Sequence, residues 1–325
     1  MSPTAPAPTV PDGVVGRLAP SPTGRLHLGH ARTFLLAWWS VRSRGGRLWL
    51  RIEDLDRSRV KPGMVDECLR DLEWLGLDWD GEPLLQSADG SRYAAALEQL
   101  RASGAAYPCT CSRRDLELAL GAPHAEDGER RYPGTCRGRF ASPEEAERRS
   151  SSPVGMRLRV PDGELEIHDG IAGDVRVDVQ REVGDFLLAR RDGAFAYQLV
   201  VVVDDAYQGV TEVLRGSDLL ASAARQEHVA RALRVPSAAW FHVPLVVDEH
   251  GRRLAKRRDD LALSELRAAG VDPRAIVSWA ARSTGQIAAE RALSMDVLRG
   301  FDLARLPREP AVLDPARIAA LRAAR

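Results

Sequence analysis

The sequence predicts an α/β protein: a doubly wound parallel sheet of Rossmann type, split by an α+β insertion and followed by a helical C-terminal segment. Three stretches predict it. Near the N-terminus, apolar Val14-Val15 leads into Arg17-Leu-Ala-Pro-Ser-Pro-Thr-Gly-Arg-Leu-His-Leu-Gly-His30, which opens into Ala31-Arg-Thr-Phe-Leu-Leu-Ala-Trp-Trp39. Strand, tight Pro/Gly loop and helix in that order hold phosphates in nucleotide-binding folds. Next, Arg47-Leu-Trp-Leu-Arg-Ile-Glu-Asp-Leu-Asp56 reads as a buried strand running into an acidic turn, with helical patterns after it. Further on, Gln198-Leu-Val-Val-Val-Val-Asp-Asp205 reads as a buried strand ending in two acids, the re-entry into the same sheet. Parallel strands bury both faces, so near-continuous apolar runs are expected of them.

Size and charge set the bounds. The 325 residues suffice for about two domains. The chain carries 46 basic and 46 acidic residues, so any RNA-binding surface must be a local basic patch. No apolar run is long and uncharged enough to span a bilayer. Residues 1–13, rich in Pro, Ala and Thr, read as a disordered tail with none of the pattern of a secretory signal. Four cysteines, three of them close together, argue against a disulfide scaffold and suit a reducing cytoplasm.

In the first stretch, Gly24 and Gly29 permit close backbone approach. Amides exposed at a helix start favour negative charge. His27 and His30, three residues apart, can both face one phosphate chain as hydrogen-bond donors. In the second stretch, Glu53, Asp54 and Asp56 sit at the carboxyl end of a strand, where ligands of such sheets bind. Three acids in four residues call for a cation opposite, and Asp56 also suits the N-cap of the next helix. Residues 63–75 follow with Met64, Leu69, Leu72 and Leu75 near helical spacing, and Cys68 falls on or beside that apolar face. A second helix is expected from Tyr93 to Leu100, ended by Gly104.

At Tyr107-Pro-Cys109-Thr-Cys111 the character changes. With Cys136, these cysteines can place three thiolates on one zinc ion. The fourth ligand is open among Tyr132, His124, Asp127 and Glu129, and ligand chemistry alone favours His124. A Cys-x-Cys pair is a modest signal, and three ordinary loop thiols or a site that has lost its metal are the alternatives. Arg130, Arg131, Arg137, Arg139, Arg148 and Arg149 make this region locally basic, which suits phosphate contacts with RNA. Arg148 and Arg149 read better as a solvated face paired with Glu144, Glu145 and Glu147. Strands are expected at Met156–Val160 and Val175–Val179, and Asp192-Gly193 signals a hairpin turn.

Tyr197 and Arg215 stand near the ends of the returning elements. A guanidinium placed like that of Arg215 can grip a carboxylate through two parallel hydrogen bonds. Ser217 suits the N-cap of a helix over 219–233. Trp240–Val247 reads as a further strand. After a turn at Glu249-His-Gly251 comes the basic loop Arg252-Arg-Leu-Ala-Lys-Arg-Arg258, which suits polyphosphate because it can close as charge develops. The remainder is mostly helical, over 263–269, 273–281 and near the end.

Five of these stretches carry a resemblance. Pro20-Ser-Pro-Thr-Gly-Arg-Leu-His-Leu-Gly-His30 resembles the first signature of class I aminoacyl-tRNA synthetases, in the form of the glutamyl and glutaminyl branch. The Arg51-Ile-Glu-Asp-Leu-Asp56 segment and the Ala196-Tyr-Gln-Leu…Asp-Asp205 and Leu214-Arg-Gly-Ser-Asp-Leu-Leu220 segments are similar to the same branch. Arg253-Leu-Ala-Lys256 resembles the second class signature, usually Lys-Met-Ser-Lys. Ala255 stands in place of the serine there, so the loop lacks one hydroxyl that could bond to phosphate. The resemblance runs from about Val14 to Ser283. It implies that His27, Gly29, His30 and Lys256 bind ATP, and that His27, His30 and Lys256 stabilise its phosphates as an amino acid carboxylate attacks the α-phosphorus. It implies a glutamate site made by Arg17, Leu18, Ala19, Pro20, Ser21, Glu53, Tyr197 and Arg215. There Glu53 accepts the α-ammonium, while Tyr197, Arg215 and Arg17 take the side-chain carboxylate. That mixture meets an electrostatic demand: a dicarboxylic amino acid needs cations for two carboxylates and an anion for its ammonium. In short paralogues of glutamyl-tRNA synthetase the pattern Cys-x-Cys, then Tyr-x-x-x-Cys, binds zinc. By that likeness Cys109, Cys111, Tyr132 and Cys136 form a structural zinc site.

Only 69 residues follow Lys256, too few for the rest of the catalytic domain plus a large anticodon-binding domain. The chain therefore resembles those short paralogues, which activate glutamate with ATP and Mg²⁺ and transfer it to the queuosine base in the anticodon of tRNA(Asp). The expected organisation is a tail (1–13), a first catalytic half (14–106), a zinc-containing RNA-binding insertion (107–185) and a second half (186–250). The basic loop and helical segment (251–325) complete it, with no anticodon-binding domain. The expected enzyme is a cytoplasmic, monomeric ligase whose partners are glutamate, ATP and the anticodon stem-loop of tRNA(Asp), with no membrane. Two alternatives stand beside it: a minimal synthetase charging tRNA(Glu), and a non-catalytic zinc- and RNA-binding module.

Overall fold

The computed structural model describes residues 13–112, 114–115, 131–254, 261–286 and 291–325. His124, Asp127, Glu129, Arg130, Ala255 and Lys256, together with residues 1–12 of the expected tail, lie outside the described residues.

The chain opens with β1 (Val15–Leu18), α1 (Leu28–Arg42), β2 (Arg47–Ile52), α2 (Met64–Trp74), β3 (Leu84–Leu85) and α3 (Ser91–Ala102). β1, β2 and β3 pair in parallel, with Val15 opposite Arg47 and Arg51 opposite Leu84. The chain then makes an antiparallel sheet of β4 (Ala106–Cys109), β5 (Gly155–Leu158) and β8 (Leu187–Ala189), with a short helix at Pro143–Ser150. Between β5 and β8 it forms the hairpin β6 (Leu165–Asp169) and β7 (Gly173–Val177). β9 (Glu212–Gly216) and β10 (Ala239–Val243) return in parallel to each other, and β6 joins β10 at Trp240 opposite Asp169. Thr211 N donates to Val15 O at 2.8 Å, and the Arg17 guanidinium donates to Leu214 O at 3.3 Å. These contacts advance together along both strands, so β9 lies parallel beside β1 and the two ladders form one layer. Beyond it, β11 (Val246–Val247) pairs with β12 (Ala311–Val312).

Helices cover both faces of that layer. Adjacent residues of a strand point to opposite faces. On β9, Leu214 belongs to a core with Trp38, Trp39, Leu50 and Ile276, whereas Val213 belongs to another with Leu199, Val202, Ala223 and Leu233. This is the two-sided packing of a doubly wound α/β sheet. Among the described residues no helix is long and apolar enough to cross a membrane.

The structure corrects several expectations. The run 198–205 is helical, within Tyr197–Tyr207, and β9 takes the place in the sheet assigned to it. A short apolar run fits a buried helix face as well as a strand. Here Leu199–Val202 and Asp204 are all buried. Ser217 caps no α-helix: it begins a 3-10 turn, Ser217–Leu219, and the α-helix starts at Leu220. Asp56 is not a cap either. α2 begins at Met64 behind a left-handed Gly63, and Asp56 instead accepts from Ser58 Oγ at 2.6 Å. The strand expected over 175–179 ends at Val177, because Asp178 caps the turn Val179–Glu182. The stretch 240–247 is broken into β10 and β11 around Pro244, which has no N–H to give a ladder. The hairpin turn stands where expected: Gly193 has φ +83° and Arg190 N donates to Ala194 O at 2.8 Å.

Candidate active site and cysteine cluster

A cavity of about 720 Å³ opens where the carboxyl ends of β1, β2 and β9 meet the start of α1. Arg17, Glu53, Tyr197 and Arg215 line it, as do Ala19, Pro20 and Ser21 of the first loop and His27, Gly29 and His30 at the helix start. Leu18, between Arg17 and Ala19, does not line it; its side chain is fully buried in the core.

The first loop builds one end of the cavity. His27 is the N-cap of α1, and its Nδ1 accepts from Gly29 N at 3.1 Å. His30 Nδ1 accepts from the backbone N–H of His27 at 3.2 Å, closing a reciprocal capping box. The rings stack with centroids 3.8 Å apart. A ring nitrogen that accepts from an N–H carries no proton, so each neutral imidazole has its proton on Nε2 and presents a donor there. A Cβ on Gly29 would stand 2.9 Å from the His27 ring, so only glycine allows this packing. The two histidines thus cap the helix with Nδ1 and carry their N–H donors on Nε2.

The other end is ionic. Arg51, wholly buried in β2, donates to Asp205 Oδ1 at 2.7 Å and to Gln208 Oε1 at 3.0 Å. It lies 3.6 Å from Glu53 Oε1. Arg17 Nε lies 3.6 Å from Asp205 Oδ1. Ser21 Oγ donates to Glu53 Oε2 at 3.3 Å. Burial raises the Glu53 carboxyl above its ordinary value despite Arg51 and Arg17 nearby. Tyr197 is 39% exposed, and that surface lines the cavity. Arg215 is buried and donates to His242, Gln226 and Leu219 O. Facing them, Arg253 pairs with Asp218 at 2.8 Å, both lining the cavity from the side of the basic loop.

No motif in the sequence assigns Arg51, Gln226, Asp169 or His242 a role in this site. Asp205, expected at a strand end, lies instead on the helix Tyr197–Tyr207 and from there reaches both Arg17 and Arg51. The signal in the sequence that could have found this network is an arginine, Arg51, inside an apolar strand.

Away from the cavity, the Sγ atoms of Cys109, Cys111 and Cys136 lie within 4.8 Å of one another. Cys111 Sγ is 3.6 Å from Cys136 Sγ, and Tyr132 Oη is 3.5 Å and 3.7 Å from the sulfurs of Cys109 and Cys111. Arg157 donates to Cys109 Sγ at 3.2 Å and stacks on the Tyr132 ring. The hydrogen bond with Cys109 pulls the Cys136 thiol down to about 4, while the same bond and burial push Cys109 up. Three thiols gathered this closely can hold a metal ion.

Comparison with known proteins agrees with this geometry. Residues 13–318 match the family of class I tRNA synthetases (E and Q), catalytic domain. The chain belongs to this family. It is 44% identical to the glutamyl-Q tRNA(Asp) synthetase of Symbiobacterium thermophilum over 316 residues, 94% of this chain and 98% of that one. With the enzyme of the same name from Deinococcus radiodurans it shares 48% over 270 residues, 82% of this chain and 87% of that one. Among solved structures, glutamate-tRNA synthetase from Elizabethkingia anophelis superposes with a TM-score of 0.82 at 25% identity. That match covers 95% of this chain and 70% of the other. In this class I synthetase, a ligase, the histidine-capped helix and the ionic pocket are the two halves of one cavity.

Proposed function

We propose that this chain activates glutamate with ATP and Mg²⁺ and transfers it to the queuosine base in the anticodon of tRNA(Asp), acting as a cytoplasmic monomer. The observation that carries the reading is the charge order along the cavity. Donating imidazoles stand at one end; Glu53, Arg17, Tyr197 and Arg215 stand at the other. Glutamate fits with its ammonium at Glu53 and its side-chain carboxylate on Arg215, Arg17 and Tyr197, leaving the α-carboxylate toward the phosphate end. That carboxylate attacks the α-phosphorus, pyrophosphate leaves, and glutamyl-adenylate forms. The nucleophile is already an anion and needs no general base, so catalysis is positioning plus electrostatics. His27 and His30 donate to the phosphate oxygens, and Lys256 from the basic loop adds a cation. A queuosine hydroxyl then attacks the acyl carbon, giving an ester and AMP. The acceptor is supported by the relatives aligned over nearly their whole length, all named for tRNA(Asp).

The test is transfer of radiolabelled glutamate in the presence of ATP. Label is expected on tRNA(Asp) carrying queuosine and not on the same tRNA with guanine. Label on tRNA(Glu) instead would replace this reading with a minimal glutamyl-tRNA synthetase. No label and no glutamate-dependent pyrophosphate exchange would leave the binding module.

We further propose that the cysteine cluster holds a structural zinc ion through Cys109, Cys111, Cys136 and Tyr132. Four ligands at tetrahedral corners about 2.3 Å from zinc stand about 3.8 Å apart, and Cys109–Tyr132, Cys111–Tyr132 and Cys111–Cys136, at 3.5, 3.7 and 3.6 Å, approach that value. The buried phenol of Tyr132 resists ionisation in the protein alone, and a bound dication reverses that preference. The zinc would fix the fold of the insertion beside its arginines and take no part in activation. Purified chain is expected to contain about one zinc per molecule by elemental analysis. Cys111→Ser is expected to lose it and to lower Tm. Metal-free chain with an unchanged Tm after chelation would remove the zinc from the proposal.

A further inference from the structure

We infer that Asp169 and His242 form a relay that holds Arg215 in position, which makes His242 a positioning residue for the side-chain carboxylate of glutamate; this rests on the substrate reading above. The two are 73 residues apart and meet because β6, from the insertion, lies beside β10. His242 Nδ1 lies 2.6 Å from Asp169 Oδ2, and both side chains are fully buried. On the other side of the ring, Arg215 Nε donates to His242 Nε2 at 2.9 Å.

This pair of contacts admits one protonation state. Arg215 can only donate, so Nε2 must be bare. Asp169 can only accept when ionised, so Nδ1 must carry the proton. The imidazole is therefore neutral and fixed as the Nδ1–H tautomer. Burial, which lowers the His242 pKa, favours the same neutral state. Asp169 is in turn held by the backbone N–H groups of Ile171 and Ala172 at 2.9 and 2.7 Å.

The consequence lies at Arg215. Its protein acceptors are an imidazole, the Gln226 carboxamide at 2.8 Å and the Leu219 carbonyl at 3.2 Å, all of them neutral. Among the described residues it makes no ion pair within 4 Å, and Trp240 covers one face of the guanidinium at 4.9 Å. The three bonds use Nε–H and one N–H of each terminal nitrogen. One N–H remains on each terminal nitrogen to bond a carboxylate. The relay thus aims the charge of Arg215 at the cavity without cancelling it. Had the aspartate touched Arg215 directly, it would have competed with the substrate.

Asp169→Asn tests this because it turns the group that faces Nδ1 from an acceptor into a donor. The carboxamide oxygen keeps the bonds from Ile171 and Ala172. The His242 backbone N–H, shared between Oδ1 and Oδ2 at 3.3 and 3.1 Å, is left to that oxygen alone, and the NH₂ faces Nδ1 and donates. The imidazole must then put its proton on Nε2, against Arg215, as when an amide replaces the aspartate behind a catalytic histidine. The variant is expected to raise KM for glutamate in pyrophosphate exchange about tenfold or more, the cost of one charge-assisted bond turned repulsive. KM for ATP is expected to change little, and Tm is expected to fall because a buried N–H of Arg215 then faces another donor. His242→Gln, whose amide oxygen can still accept from Arg215, is expected to recover part of the affinity that His242→Leu loses. Nitrogen-15 NMR of histidine-labelled protein is expected to show an Nδ1–H tautomer for His242 in the wild type and Nε2–H in Asp169→Asn. A wild type with Nε2 protonated, or an unchanged glutamate KM in Asp169→Asn, overturns the relay. A wild type without glutamate-dependent exchange would defeat the substrate reading instead, and the NMR would still decide the relay.

Discussion

His27→Asn is expected to slow glutamate-dependent pyrophosphate exchange by about 10²–10³-fold, the usual loss when one preorganised donor to a developing oxyanion is removed. The substitution is chosen because His27 has two duties. Its Nδ1 caps α1 by accepting from Gly29, and that duty is structural. Asparagine is among the best N-cap residues, so it can keep the cap while deleting the Nε2 donor. The expected signature is a large fall in kcat with KM for glutamate and Tm nearly unchanged. His27→Ala should differ by also losing about 1 kcal/mol of stability with the cap. If His27→Asn exchanges as fast as the wild type, the histidine is a cap and nothing more. His30 provides an internal comparison. Its Nδ1 accepts from the His27 N–H and fixes the same tautomer, so removing either ring also disturbs the packing of the other at 3.8 Å. The double variant is accordingly expected to lose less than the product of the single losses.

The uneven legibility of this chain has physical reasons. The first loop was readable because its chemistry is local: strand, loop, cap and helix follow one another within 30 residues, and the glycines and histidines mark the turn and the anion-facing start. β2 was readable because an apolar run ending in acids has few other uses. The cysteines were readable as a cluster because few residue types gather so, although the fourth ligand was chosen by resemblance. By contrast, 198–205 reads as a strand and is a helix. Val and Ile-like runs suit strands, and a run of this length carries too little periodicity to reveal a buried helix. Its acids then pointed the wrong way: Asp204 meets Arg92, Tyr93 and Gln86 in the interior, and Asp205 meets Arg17 and Arg51.

The supports of the site were the least legible part. Arg17 and Arg215 were identified from motifs, but the groups that aim them were not. Asp169 stands in a strand of the insertion, and His242 precedes Val243-Pro244 in what looked like an ordinary sheet strand. A lone buried histidine is more often a satisfied core residue than a participant, and here it is both. No spacing in one dimension joins residues 73 positions apart. Only the register that puts Trp240 opposite Asp169 does so.

Glu53→Gln is expected to raise KM for glutamate about 100-fold or more, since removing one partner of a buried, hydrogen-bonded charge pair typically costs about 2–5 kcal/mol. Arg17 and Arg51 remain beside the site, and without the carboxylate they repel the substrate ammonium. Affinity for ATP should persist, because the histidine end of the cavity is untouched. The stability of the same variant should move the opposite way. Burial raises the folded-state pKa of Glu53 above its ordinary value. The folded state therefore holds the proton more tightly than the unfolded one. This group's contribution is favourable below the unfolded pKa and is lost as pH rises through the folded pKa. At pH 7 the neutral glutamine should thus give an equal or higher Tm, with no such gain near pH 4. The catalytic pH profile provides a further check. Only ionised Glu53 accepts an ammonium, so the wild-type glutamate KM should climb as pH falls toward that raised pKa, beyond the change from titration of free glutamate itself. Glu53→Gln should lose this extra limb. A variant with wild-type KM would remove the ammonium role from Glu53. A destabilised variant at pH 7 would instead make Glu53 a structural partner of Arg51. A gain in stability with a loss of substrate is the result expected of a carboxylate kept buried for a ligand.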